Sequence, residues 1–350
     1  MNNKPKYTIA VTGLNAIDSP GPGLAVIRSL RDAESFDVRI IGLAYENLEP
    51  GIYMDQYIDK SYKVPFPTAG SEALLSRLDY INKKENIDFI FPNFDAELFH
   101  YIKIQEELNN ELAIKMVLPS LEQFEARQKA VLHQYGIDHG ITVPKSDMVN
   151  NHTQTLKKAK EYGYPVVIKG RFYDAKIAYS PEQATSYFNS ITAKWGLPII
   201  VQEFVQGTEV NVCGLGNGNG DLIGAVPMRK LYITDKGKAW AGVTLDNQDL
   251  LNITNQMVNS TKWNGPFELE FIKTEDNKYY LLEINPRFPA WCYLTTGAGQ
   301  NQVEALVNLG MGKKVDPFLS YEIGKMFIRY SEDMIVDIEK FKSISTLGEL

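Results

Sequence analysis

Phe267-Glu-Leu-Glu270-Phe-Ile272, followed after a polar link by Tyr279-Tyr-Leu-Leu-Glu283-Ile-Asn285-Pro-Arg287, is the stretch on which the reading of this chain turns. The two apolar-rich runs, Phe267 to Ile272 and Tyr279 to Ile284, resemble an antiparallel strand pair joined by Glu275-Asp-Asn277. Glu283 and Asn285 stand two apart and so share a strand face, and hairpin pairing can bring Glu270 beside them. Oxygen ligands converging in this way suit Mg²⁺, which takes most of its remaining coordination from water and nucleotide phosphates. Just beyond, Arg287 can present a planar fork to a phosphoryl or carboxylate oxygen. Taken alone, Glu-x-Asn-Pro-Arg is a weak signal, because a polar turn after an edge strand produces such runs by chance.

Upstream, Pro198-Ile-Ile-Val-Gln-Glu-Phe-Val205 reads as a strand ending at the turn Gln206-Gly207, and Tyr164-Pro-Val-Val-Ile-Lys169 as another. Several strand-like runs punctuated by Gly and Asn follow Glu209. Helices are predicted at Leu121 to Tyr135 and Gln154 to Tyr162. Nearer the N-terminus, Tyr7 to Gly13 has the β-branched, apolar character of a buried parallel strand, and Gly21 to Leu30 reads as a turn feeding a helix. Val38 to Leu43 is a second strand, Ser71 to Lys84 an amphipathic helix, and Ile87 to Pro92 a third strand ending at Asn93, Asp95 and Glu97. Residues 1–118 therefore predict a doubly wound α/β domain, and the pattern restarts near Pro119 as an α+β half.

The chain has 350 residues, 44% hydrophobic and 23% charged, which is long for one core. A net charge of −7 argues against a nucleic-acid partner while leaving room for a local basic pocket. Cys213 and Cys292 are far apart, so neither a disulfide framework nor a structural zinc site is encoded. The apolar run Tyr7 to Leu14 is shorter than a signal peptide needs, and no run approaches a membrane span. A soluble cytoplasmic protein without membrane partners is expected.

With these residues in order, the chain resembles the ATP-grasp superfamily, in particular the branch similar to the large subunit of carbamoyl phosphate synthetase. The resemblance covers most of residues 120–312, and the N-terminal part resembles the family's pre-ATP-grasp domain. It implies a small lobe at 119–200, a large lobe at 201–312 and a tail at 313–350 packing on them. It implies magnesium (or manganese) on Glu270, Glu283 and Asn285, with Arg287 beside them. Gln202 and Glu203 would flank the adenine amino group, the main chain of Phe204 and Val205 would supply edge hydrogen bonds, and Glu209 would reach the ribose. Lys169 and Lys129 would meet the ATP phosphates, and Arg229, with Lys230, would face the phosphates or an acyl phosphate.

The implied activity is that of a ligase: ATP activates a substrate carboxylate as an acyl phosphate, which an amine then attacks, releasing ADP and phosphate. An amino acid or small peptide is compatible as substrate, and a homodimer is the commonest assembly. Bicarbonate chemistry is the alternative, weakened by the lack of a second ATP-grasp copy; a nucleotide-binding protein without turnover is another. The segment Lys169-Gly-Arg-Phe-Tyr-Asp-Ala-Lys176 departs from the family by having one glycine where a glycine-rich lid is usual. There Arg171 or Lys176 can substitute charge for main-chain contacts.

Other readings of single residues stay open. Lys129 can equally be a solvated residue on an amphipathic helix. Asp95 and Glu97 stand where open α/β sheets place ligands, and also where helix first turns favour acids. The spacing of Gly13, Gly21 and Gly23 is not that of a dinucleotide fingerprint, and the four histidines show no metal-ligand spacing.

Overall fold

The computed structural model describes residues 4–170 and 174–350. The N-terminal region alternates strand and helix: β1 (Lys6–Val11), α1 (Pro22–Arg31), β2 (Asp37–Ala44), β3 (Lys60–Lys63), α2 (Ser71–Glu85), β4 (Phe89–Phe91) and α3 (Asp95–Leu112). Its sheet has the order β3-β2-β1-β4 with every pair parallel. The strand direction of winding reverses between β1 and β4, and the carboxyl ends of those strands carry Thr12 and Asn93. β3, Lys60-Ser-Tyr-Lys63, escaped the sequence reading because it is a short polar edge strand with no apolar run.

Gly23 explains how α1 docks so closely. A Cβ there would lie 2.2 Å from the Thr12 carbonyl oxygen, and Gly23 N donates to Gly13 O at 3.0 Å. Only glycine permits that approach.

The next stretch comprises α4 (Leu121–Ala126), α5 (Leu132–His139), β5 (Ser146–Val149), α6 (His152–Tyr162), β6 (Val166–Gly170), β7 (Ala175–Ala178), α7 (Pro181–Trp195) and β8 (Ile199–Glu203). The single helix expected over Leu121 to Tyr135 is thus two helices. Between them Gln128 N donates to Glu125 O, and Val131 N and Leu132 N to Gln128 O, a turn that takes Lys129 out of the helical register. The antiparallel sheet β5-β8-β6-β7 is covered on one face by α6 and α7, around Val166, Ile168, Val201 and Phe188. The other face carries Lys169, Ile200 and Gln202, because side chains alternate along each strand.

The chain continues through β9 (Thr208–Asn217), β10 (Leu222–Ile233), β11 (Ala239–Thr244), α8 (Gln248–Thr261), β12 (Asn264–Lys273) and β13 (Tyr279–Asn285). It ends with α9 (Tyr293–Gly297), α10 (Gln302–Gly310), β14 (Met326–Ile328) and α11 (Ile338–Leu347). A six-stranded sheet has the order β13-β12-β9-β10-β11-β14. Along β12, Phe267, Leu269 and Phe271 are fully buried, while Glu268 and Glu270 take the opposite face.

Two compact units result. Unit 1 joins residues 1–121, 211–268 and 285–350; unit 2 joins 122–210 and 269–284. The core of unit 1 is continuous, running from Ile9 and Val11 to Leu215, Phe288 and Val303. Among the described residues, no helix is long and apolar enough to cross a membrane.

Candidate nucleotide and metal site

In unit 2 the strand pair β12–β13 turns through Thr274, whose N–H donates to Lys278 O at 2.9 Å. Glu270 and Glu283 are both half-buried on this hairpin. Lys129 Nζ lies 3.6 Å from Glu283 Oε1, so the turn between α4 and α5 delivers the ammonium to the hairpin. Lys129 is therefore a half-buried turn residue paired with Glu283, not a residue on the solvated face of a helix.

Lys169 joins the same group. Burial pushes its pKa from 10.5 down to about 8, Lys129 adds to the fall, and the negative charges of Glu283 and Glu270 oppose it. Two ammonium groups and two carboxylates are therefore interleaved within reach of one another's fields. Such a set is poorly satisfied by its own members, since Lys169 remains depressed despite two nearby carboxylates.

The expected adenine hinge is also in unit 2. Gln202 is buried and pairs across the sheet with Val167, which puts it on the face of Lys169. Glu203 takes the opposite face, where its Oε2 accepts from Lys145 N at 3.2 Å. Phe204 and Val205 follow β8 as half-buried, irregular chain, and among the described residues their main-chain groups make no hydrogen bond to another main-chain group. Half-buried main-chain donors and acceptors in that condition suit the edge of a planar heterocycle. Gly207 ends the hinge where a Cβ would lie 2.2 Å from Lys273 O, so only glycine lets the hinge lie against the end of β12. Glu209 is half-buried near the start of β9.

Lys176 departs from the others. It pairs with Ile168, on the helix-covered face, and its Nζ lies 5.0 Å from the centre of the Tyr187 ring. Strand alternation thus separates it from Lys169. Arg171 lies outside the described residues.

Unit 1 holds Asn285 and Arg287, organised by a residue the sequence reading passed over. Glu268 is buried, and its carboxylate accepts from Asn211 Nδ2 at 3.2 Å, Asn285 Nδ2 at 3.2 Å and Trp291 Nε1 at 2.7 Å. Arg287 Nη1 stands 3.7 Å from the same carboxylate. The signal was present in the sequence: Glu268 is two residues before Glu270 and so shares its strand face. Asp95, the first residue of α3, accepts from Arg287 Nε at 3.0 Å and pairs with Nη2 at 3.0 Å. The guanidinium is therefore oriented by carboxylates on two elements. Arg229 stands exposed on β10 opposite Val243.

At the carboxyl end of the parallel sheet, Glu97 is fully buried and accepts from Thr12 Oγ1, Tyr45 OH, Asn93 N and Phe94 N. Burial raises its pKa to about 7 against the opposing pull of those donors. The helix first-turn reading of Glu97 is thus realised as a buried tie between β1, β2 and α3.

Among the described residues, no group of three or more His, Cys, Asp or Glu side chains could hold a metal ion. Within unit 2, Glu270 and Glu283 offer instead two carboxylates. That donor set fits a cation that keeps most of its coordination for water and phosphate, as Mg²⁺ does, and does not fit a closed protein cage.

The antiparallel small sheet, the β12–β13 hairpin and the N-terminal parallel domain accompany a similarity to ATP-grasp proteins. More particularly, a family model described as ATP-grasp in the biosynthetic pathway with Ter operon matches residues 197–327. The carbamoyl phosphate synthase large chain of Clostridium beijerinckii is 22% identical over 311 residues, covering 80% of this chain and 26% of that protein. The C-terminal section of the same large chain from Aquifex aeolicus is 22% identical over 176 residues, covering 47% of this chain and 33% of the relative. The chain thus spans about a quarter to a third of the length of these curated relatives.

Solved structures share the fold. A biotin carboxylase complex from Campylobacter jejuni matches with a TM-score of 0.70 at 16% identity, covering 91% of this chain and 74% of that one. An N5-carboxyaminoimidazole synthetase from Staphylococcus aureus matches with a TM-score of 0.68 at 17% identity, covering 92% and 82%.

Proposed function

We propose that the protein is an ATP-dependent ligase that activates a substrate carboxylate as an acyl phosphate and joins it to an amine, releasing ADP and phosphate. The observation that carries this reading is the interleaving of Lys129 and Lys169 with Glu270 and Glu283. Lysines suit phosphate oxygens as compact point charges, and carboxylates suit a divalent ion riding on those phosphates. Magnesium, held by Glu270, Glu283 and Asn285, would neutralise charge on the phosphates.

This chain's residues divide the remaining work. Gln202, Glu203 and the main chain of Phe204 and Val205 bind the adenine, and Glu209 the ribose. Lys129 and Lys169 position the phosphates. Arg287, braced by Asp95 and Glu268, holds an oxyanion in a fixed orientation, which stabilises charge that develops there without reorganisation. Arg229 is assigned to the acyl-phosphate side, and Lys176, which faces Tyr187 across the sheet from Lys169, is given no part in phosphate binding. The functional division we adopt is a small lobe at 119–200, a large lobe at 201–312, the domain at 1–118 and the tail at 313–350. The substrates are a small carboxylate and a small amine, with an amino acid or peptide as candidates, in a cytoplasmic enzyme that is a homodimer.

The test is ADP release with Mg²⁺ across amino acids, dipeptides and bicarbonate. Release that needs both a carboxylate and an amine supports the ligase. Release with bicarbonate and no other carboxylate replaces it with carboxylase-type chemistry, and saturable ATP binding without release under any mixture leaves a nucleotide-binding protein.

A further inference from the structure

Unit 1 contains a cavity of about 510 Å³ bounded by α1, the segment 290–297 and β14. That volume lies within the range of small-molecule sites. Its wall is largely apolar and aromatic, including Leu24, Trp291, Leu294 and Ile328. Among the described residues, the charged side chains that line it, Arg28, Lys325 and Arg329, are all cationic, and no carboxylate lines it.

These cations are not equivalent. Lys325 is exposed and pairs with Glu322 at 2.9 Å. Arg28 is exposed and lies 3.8 Å from the centre of the Tyr293 ring, whose hydroxyl donates to Asp32 at 2.7 Å. Arg329 is half-buried, and among the described residues it has no ion pair with a carboxylate. Its Nη2 donates to Ala290 O at 2.9 Å. Burial pulls its pKa from 12.5 down to about 10, with Glu268 opposing that fall from a distance. A guanidinium withdrawn from water with no carboxylate in direct contact is a cost to the fold that the distant charge of Glu268 offsets only in part, and an anion entering the cavity would offset it further.

The apolar wall is equally well fixed. Trp291 is buried, and its Nε1 donates to Glu268 Oε1 at 2.7 Å, which locks the indole plane. Glu268 also orients Asn285 and stands 3.7 Å from Arg287, so one carboxylate sets both the cavity wall and the arginine assigned to the reacting oxyanion. A rigid aromatic wall beside a guanidinium that keeps donors for an anion recognises a particular shape: a flat or branched apolar body ending in an anion.

We propose that this cavity binds an organic monocarboxylate with an aromatic or branched aliphatic body, its carboxylate on Arg329 and its body against Trp291, Leu294 and Ile328. The assignment of this ligand as a substrate joined by the enzyme rests on the ligase reading; its binding does not.

The test is calorimetric titration of the full chain, with and without MgADP, using 3-phenylpropionate, 4-methylpentanoate, their carboxamides and inorganic phosphate. We expect saturable binding of a carboxylate and at least tenfold weaker binding of its carboxamide. Arg329→Met removes a charge from a half-buried position without leaving a void, and should erase that preference while MgADP binding is kept. Ile328→Asp, at a position 64% exposed, adds a negative charge to the wall and should weaken carboxylate binding about tenfold. Absence of saturable carboxylate binding in both nucleotide conditions overturns the proposal, as do carboxamides that bind equally well, phosphate that displaces the carboxylate and binds more tightly in the presence of MgADP, or a preference that survives in Arg329→Met. ADP release is read separately: carboxylate binding without any release leaves the cavity assignment standing and removes the ligase, and release with no binding here does the reverse.

Discussion

Replacing Lys169 with methionine separates a phosphate-binding lysine from a structural one. The fall of its pKa from 10.5 to about 8 corresponds to a penalty of about 3 kcal/mol on the charged form in the folded protein. Methionine keeps the length and most of the volume of the side chain and removes that charge. Lys169→Met should therefore raise the stability of the nucleotide-free protein by up to about 3 kcal/mol at pH 7.

The sign of the pH dependence follows from the direction of the shift. Below pH 8 the folded wild type carries the whole penalty. Between pH 8 and 10.5 the unfolded chain holds a proton that the folded chain has lost, so wild-type stability rises with pH and the advantage of the variant shrinks. Nucleotide should act in the opposite direction. At a hundredfold excess over its dissociation constant a ligand stabilises the folded state by about 2.7 kcal/mol, and that gain should largely disappear in the variant. Urea melts at pH 7 and pH 10, each with and without MgADP, measure all four quantities. A nucleotide-free variant less stable than wild type at pH 7, or equal stabilisation of both proteins by MgADP, would refute the reasoning.

The other predictions concern neighbouring groups. Glu283→Gln removes a carboxylate charge from the metal-binding set while keeping its shape, and ADP formation should fall by about 100-fold or more, with adenine binding partly retained; unchanged turnover would sink the assignment. Glu268→Ala strips the shared acceptor from Asn211, Asn285 and Trp291, and chemical denaturation should show a loss of about 3 kcal/mol, whereas a loss below 1 kcal/mol would show that the hub is dispensable. Glu97 has its folded pKa raised from 4.5 to about 7, so the folded state binds the extra proton in that window. Wild-type stability should therefore fall as pH rises from 4.5 to 7 by up to about 3 kcal/mol from this group, and Glu97→Gln should flatten the slope in parallel melts. Gly214→Ala places a Cβ 2.3 Å from the Phe267 ring and should cost about 1–3 kcal/mol; a melting midpoint equal to wild type would contradict the packing.

Much of this architecture was legible in the chain because the deciding patterns are local. Apolar, β-branched runs marked β1, β2, β6, β8, β12 and β13, and the spacing of Glu283 and Asn285 on a hairpin is what put them, with Glu270, forward as metal ligands. The same locality explains what was missed. β3 has a polar sequence and becomes a strand only because β2 offers it an edge, and the break that frees Lys129 from a helix is set by turn hydrogen bonds that no propensity specifies.

Local pattern in the chain set the order of elements and the parallel character of the N-terminal domain. Which distant stretches share a compact unit was set by tertiary packing, with residues 269–284 joining 122–210 and residues 285–350 joining the N-terminal domain. That packing alone assigned Glu268 its role as common acceptor, put Lys176 across the sheet from Lys169, and left Arg329 half-buried with no carboxylate ion pair among the described residues. The physical reason is range: alternation and turn chemistry act over a few residues, whereas burial, desolvation and charge pairing depend on neighbours that the fold brings from far along the chain.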